Sequence, residues 1–105
     1  MLGAIAGDII GSIYEASPIK TKDFPLFGKG CRFTDDSVLT IAVAHAIMNN
    51  EPYDLALRDF YRAHPHAGYG GMFRRWAEDE RMGPYNSWGN GSAMRVSPVG
   101  YAYGT

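Results

Sequence analysis

Phe33-Thr34-Asp35-Asp36-Ser37-Val38-Leu39-Thr40-Ile41-Ala42-Val43-Ala44-His45-Ala46-Ile47-Met48 sets a hydroxyl and two adjacent carboxylates directly before an uncharged run. The run is too long for a buried strand and leaves almost no polar face, so it predicts a central helix, from about Asp35 to Asn49, buried all round. Asn49-Asn50 and Pro52 stop it. Its start has two readings. Thr34 at the cap and Asp35 and Asp36 in the first turn would satisfy free N–H groups and complement the helix dipole, each worth about 0.5–1 kcal/mol. Alternatively, a helix start that projects a hydroxyl and carboxylates in one fixed direction supplies oxygen ligands to a hard cation such as Mg²⁺ or Mn²⁺. Consecutive helical residues point about 100° apart, so each carboxylate would reach a different ion of a two-ion site. The pair alone does not complete a coordination shell.

On the N-terminal side, Leu2, Ile5, Ala6, Ile9, Ile10 and Ile13 recur at helical spacing, which predicts a helix from Leu2 to Glu15. Gly3, Gly7 and Gly11 form a second stripe. Three helical glycines cost roughly 1 kcal/mol each relative to alanine, so close approach of another helix or a ligand is expected to compensate. Asp8, Ser12 and Glu15 form a polar stripe, read either as a solvated edge or as a wall of the same cavity as Asp35. Between the two helices, residues 16–32 hold Pro18, Pro25, Gly28 and Gly30 among charged residues, the composition of a long loop.

On the C-terminal side, Tyr53 to Ala63 reads as an amphipathic helix ended by His64-Pro65, and Met72 to Glu80 as a polar helix with Phe73 and Trp76 on one face. Ser92 is a candidate cap for a last helix from Ala93, broken or kinked at Pro98 and Gly100. No strand pattern or repeat is present, so the fold class is all-α. The helix after Thr34 needs more neighbours than these few short helices provide. The core is therefore expected to be incomplete.

With 105 residues, a formal charge of −1 and 20% charged residues, the chain fits one domain, offers no basic face for nucleic acid and no acidic tract for disorder. Cys31 is the single cysteine, which excludes an internal disulfide and suits a reducing compartment. Asp8 interrupts the apolar N-terminus before a signal-peptide core forms, and no stretch reaches the ~20 apolar residues of a membrane span. These features predict a cytosolic protein.

Two glycine-rich segments precede helices: Gly68-Tyr69-Gly70-Gly71 before Met72, and Gly89-Asn90-Gly91-Ser92 before Ala93. Bare backbone N–H groups at such starts cradle phosphate, although neither segment matches a P-loop or a dinucleotide fingerprint. Beside an acidic site they suggest a substrate with phosphate and vicinal hydroxyls. His45 lies ~15 Å up its helix from Asp35, too far to share an ion, and His64-Pro65-His66 reads as ordinary loop histidines.

Three ordered motifs, Gly3-Ala4-Ile5-Ala6-Gly7-Asp8 with Gly11-Ser12 and Glu15, Phe33-Thr34-Asp35-Asp36-Ser37, and Trp88-Gly89-Asn90-Gly91-Ser92-Ala93-Met94-Arg95, resemble the ADP-ribosylglycohydrolase family across essentially the whole chain. The resemblance implies an all-helical hydrolase with two divalent cations, Mg²⁺ or Mn²⁺, that removes ADP-ribose from a protein side chain or a small acceptor. It assigns Thr34, Asp35 and Asp36 as metal ligands and Glu15 as a gate. The catalytic acid/base role falls to Asp35 or Glu15, with Asp36 beside them. Tyr69, Gly70, Gly71, Ser87, Trp88, Asn90 and Gly91 become candidates for holding ADP-ribose. Family members are longer and take their other ligands from an Asp-x-Asp-Thr or Asp-x-Asp-Ser segment in the C-terminal half, which these 105 residues lack. The expectation is an N-terminal portion, inactive unless a C-terminal fragment or self-association completes it. The alternative is a non-catalytic ADP-ribose-binding or crystallin-like structural protein of the same fold.

Overall fold

The computed structural model describes residues 2–15, 17–85 and 91–103. Those residues form α1 (Leu2–Gly11), a 3₁₀ turn (Ser12–Tyr14), α2 (Asp35–Met48), α3 (Tyr53–Ala63), α4 (Gly71–Glu78), α5 (Gly91–Met94) and α6 (Ser97–Tyr103), with no strand among them. The fold class is all-α as expected. Among the described residues no helix is long and apolar enough to cross a membrane.

Helix α2 is the hub, packing on α3 and α6 along its length, on α1 near its start and on α5. Val38, Leu39, Ala42 and Val43 of α2 meet Leu57 and Tyr61 of α3 and Phe73, Trp76 and Ala77 of α4. The aromatics form a chain: Tyr61 to Tyr69 at 4.9 Å, Tyr69 to Phe73 stacked at 5.4 Å, Phe73 to Trp76 at 5.6 Å. Offset and tilted rings at these distances add attraction beyond burial. Tyr61 donates to Glu78 Oε1 at 2.5 Å, fixing α3 to the end of α4.

The expectation that α2 is buried on every side is not met. Ile41 and Met48 are 41% and 83% exposed, and His45 between them is also exposed. These positions, at i, i+4 and i+7, share one face. Its neighbours α3, α6 and α1 leave that face uncovered.

Helix α1 departs further from its expected surroundings. Only Asp8 is buried, and a Cβ built on Gly3, Gly7 or Gly11 meets nothing within 4 Å. The close approach expected to compensate the glycine stripe is absent among the described residues. The loop that follows runs back along α1: Arg32 N–H donates to Ser12 Oγ at 3.0 Å, and Ser12 Oγ donates to Ile9 O at 2.8 Å. Gly30, at φ +91°, supplies the left-handed turn that brings Arg32 there.

The C-terminal break also moves. The chain leaves helical conformation between Met94 and Ser97, so Pro98 falls in the first turn of α6, where its missing N–H has no intrahelical acceptor to lose. Ser92 lies inside α5 rather than capping a helix from Ala93.

Candidate functional site

The opening N–H groups of a helix need partners from outside its own hydrogen-bond ladder. At α2 they come from an unexpected source. Asp8 of α1, 8% exposed, receives Thr34 N–H at 2.7 Å, Ser37 N–H at 3.2 Å and Ser37 Oγ–H at 2.7 Å on Oδ2, and Thr34 Oγ1–H on Oδ1. Bonds to an ionised acceptor are roughly twice as strong as neutral ones. Thr34 is the N-cap and accepts Asp36 N–H at 3.3 Å. Asp35 N–H turns to Ala67 O at 2.7 Å. All four amides from Thr34 to Ser37 are therefore satisfied without the carboxylates of Asp35 or Asp36. Capping belongs to Asp8 and Thr34, and the two acids are left for other work.

Their electrostatics are unfavourable as they stand. Burial, followed by the charge of Asp36, pushes Asp35 up to about 6 despite the opposing influence of the Thr34 side chain, and Glu15 and Asp8 add to the rise. Asp36 is raised by burial and then by Asp8, against the opposing influence of the Asp35 side chain. Glu15, exposed just past the 3₁₀ turn, is raised by burial, then by Asp36 and Asp8. Among the described residues no salt bridge reaches any of these four acids. Carboxylates that repel one another without a protein cation are a donor set suited to a hard metal ion. Among the described residues no three His, Cys, Asp or Glu side chains stand close enough to enclose one. Two carboxylates and the Thr34 hydroxyl would fill only part of a coordination shell.

The Gly68–Gly71 loop lies against this cluster. It is joined to it by the Ala67 carbonyl that accepts Asp35 N–H, and Gly68 takes φ +90°. Tyr69 points inward: it is buried, stacks on Phe73, and donates its hydroxyl to His64 O at 2.7 Å. Burial and then the charge of Asp35 push its phenol up to about 12. The Tyr69 side chain thus packs into the core. Gly70 caps α4 and Gly71 opens it. A Cβ at either meets nothing within 4 Å, so bare backbone opens α4 a few residues beyond the Ala67 carbonyl that takes Asp35 N–H.

The sequence profile of the ADP-ribosylglycohydrolases matches residues 1–105. The chain belongs to this family. A relative, the ADP-ribosylhydrolase ARH3 of Xenopus tropicalis, is 31% identical over 134 residues, covering 98% of this chain and 38% of that protein. This glycohydrolase-family chain therefore spans well under half the length of the relative it matches. No solved structure matches it significantly.

Of the family-implied residues, Thr34, Asp35 and Asp36 share the start of α2, Glu15 lies near enough for its charge to act on Asp35, and Gly70 and Gly71 begin α4, whereas Ser87, Trp88 and Asn90 lie outside the described residues. Gly91 opens α5, and a Cβ there would sit 3.7 Å from Arg95 Nη1. A cleft of about 440 Å³ lined by Tyr53, Asp54, Arg58, Trp76, Tyr85 and Arg95 contains none of Asp8, Glu15, Asp35 and Asp36. A second, of about 320 Å³, is lined by Phe33, His64, His66 and Ala67 and flanks the acidic patch.

Two structural residues escape sequence reasoning. Asp8 is legible as a polar residue on an apolar helix, but not as the cap of a helix 26 positions downstream. Arg58 is buried, lies 4.1 Å over the Trp76 ring, and donates through Nη2 to the carbonyls of Trp76, Asp79 and Met82 at 3.3, 3.2 and 3.0 Å. It closes the C-terminal end of α4. An arginine on an amphipathic helix gives no advance sign of that role.

Proposed function

We propose that this chain carries the N-terminal share of a dinuclear divalent-cation site in an enzyme that hydrolyses the N- or O-glycosidic bond between ADP-ribose and a protein side chain or small acceptor. The observation that carries the reading is the release of Asp35 and Asp36 from capping, which leaves two carboxylates, each with its proton affinity raised by burial and by a neighbouring acid, and the Thr34 hydroxyl together at one helix start. Thr34, Asp35 and Asp36 are the ligands for Mg²⁺ or Mn²⁺. When bound, two such ions hold the ribose hydroxyls and lower the pKa of a water for attack at the anomeric carbon.

The chain's own residues divide the remaining work. Glu15 is the proposed group that exchanges a proton with the leaving group or the attacking water, a role it shares as a candidate with Asp35, and its proton affinity, raised by burial and by Asp36 and Asp8, supports this. The backbone of residues 69–71 presents N–H groups to phosphate at the start of α4. Ser87, Trp88, Asn90 and Gly91 hold the rest of the ADP-ribose. The remaining cation ligands come from outside these 105 residues, in a cytosolic protein whose partner is an ADP-ribosylated protein or an ADP-ribose-containing metabolite.

Mn²⁺ added to isotope-labelled chain tests this through paramagnetic broadening of amide signals, which detects weak, partial sites. Selective loss of the signals around residues 34–37, abolished in D35N and in D36N, is the expected result. Uniform broadening, or broadening that survives both substitutions, overturns it. ADP-ribose bound with no dependence on the cation favours the non-catalytic alternative.

A further inference from the structure

We infer that Asp8 is a positioning residue for the cation site, acting through the Thr34 hydroxyl; the inference rests on the reading of Thr34, Asp35 and Asp36 as cation ligands. A hydroxyl has one proton and two lone pairs. At Thr34 the proton goes to Asp8 Oδ1 and one lone pair receives Asp36 N–H at 3.3 Å. The second lone pair is the remaining one, and a ligand oxygen needs a lone pair turned toward the ion rather than a proton. Asp8 thus decides which way the hydroxyl faces.

The same carboxylate frees the neighbours. By taking Thr34 N–H and Ser37 N–H on Oδ2, it removes the first-turn amides that would otherwise recruit Asp35 or Asp36 as caps. Ser37 Oγ–H on the same oxygen at 2.7 Å holds the carboxylate in register. Asp8 makes these four bonds while nearly fully buried, so it acts by orientation and not as a ligand open to solvent.

Asparagine is the informative replacement because it keeps the shape while offering one acceptor oxygen and one N–H donor pair. The amide of D8N reproduces one of the two bonding oxygens of the carboxylate and opposes the other. Where its nitrogen meets Thr34, the hydroxyl must accept, and its proton turns outward to the place where the lone pair faced. Groups that orient ligands from behind in this way cost about 10–100-fold in metal affinity when altered.

The experiment is a double-mutant cycle of Asp8→Asn and Thr34→Val in the 105-residue chain. Mn²⁺ affinity is read from the broadening titration, and the signals of Leu39 and Val43 report whether α2 is intact. D8N is expected to weaken Mn²⁺ by about 10–100-fold, T34V by a similar factor, and the double variant no more than T34V alone. If D8N costs the same factor in both backgrounds, its charge acts at a distance and the positioning role is overturned. If D8N leaves affinity unchanged while D35N and D36N abolish it, the cation reading stands and the Asp8 inference falls alone. If the wild-type chain shows no selective broadening, the cation reading fails and the inference fails with it. A measurement on the wild type needs no folded variant: a Thr34 hydroxyl proton locked on Asp8 gives a slowly exchanging resonance that persists and shifts on adding Mg²⁺. Exchange at the rate of a surface hydroxyl overturns the inference.

Discussion

Asp35 carries a consequence for pH. Its folded value, about 6, lies above the ordinary 3.8, so between those values the folded chain binds more protons than the unfolded one. Stability from this group is complete at low pH and is lost as pH rises through 6. Asp36 and Glu15 are shifted in the same direction. The cation-free chain should therefore melt higher at about pH 5 than at about pH 7 by a margin that shrinks in D35N, measured as the difference in Tm between the two pH values for each protein. An equal margin in both would remove Asp35 from the effect. Bound cation reverses the balance: protons compete for the same oxygens, so Mn²⁺ affinity should fall as pH drops below about 6.

Two helices show how far local sequence reaches. The boundaries of α3 are legible because Pro52 precedes its first turn and His64-Pro65 follows its last, and the 3.6-residue period of its apolar side marks the core face. The exposure of the Ile41, His45 and Met48 face of α2 is not, because burial of an apolar residue depends on which neighbours arrive. For the same reason the acidic patch is readable as a pair of adjacent acids at a helix start, while the carboxylate that caps that helix comes from another one. Arg58 is a second case. R58A should lower stability by about 2–4 kcal/mol, because three carbonyls in the last turn of α4 and the segment after it lose a charged donor and Trp76 loses its cover; R58K should recover only part of this, since a lysine lacks the planar fork. Chemical denaturation of the three proteins checks the order. In α1 the open glycine face predicts the opposite sign. G7A should stabilise the isolated chain by about 0.5–1 kcal/mol, a shift of a few degrees in Tm; destabilisation would mean that a surface packs on the stripe.

At the scale of the molecule the surface is large for the mass. The accessible area is 7429 Å² against roughly 5,800 Å² for a compact monomer of this size, and the radius of gyration is 14.6 Å against about 13 Å. Leu2, Met48, Tyr101 and Tyr103 are each more than 70% exposed, so the excess includes large apolar groups. The isolated chain should enhance ANS fluorescence and self-associate with concentration in sedimentation velocity; a monodisperse monomer silent to ANS would count against an uncovered core. The fastening of α1 to α2 through Asp8 sets a clock within this open structure. Since α1 packs chiefly on α2, it can lift without dismantling the Leu39 and Val43 core, and local openings of that kind lie below global unfolding in free energy. The amide hydrogens of Thr34 and Ser37, both held by Asp8, should exchange with deuterium together and sooner than those of Leu39 and Val43, timing how long the latch stays shut.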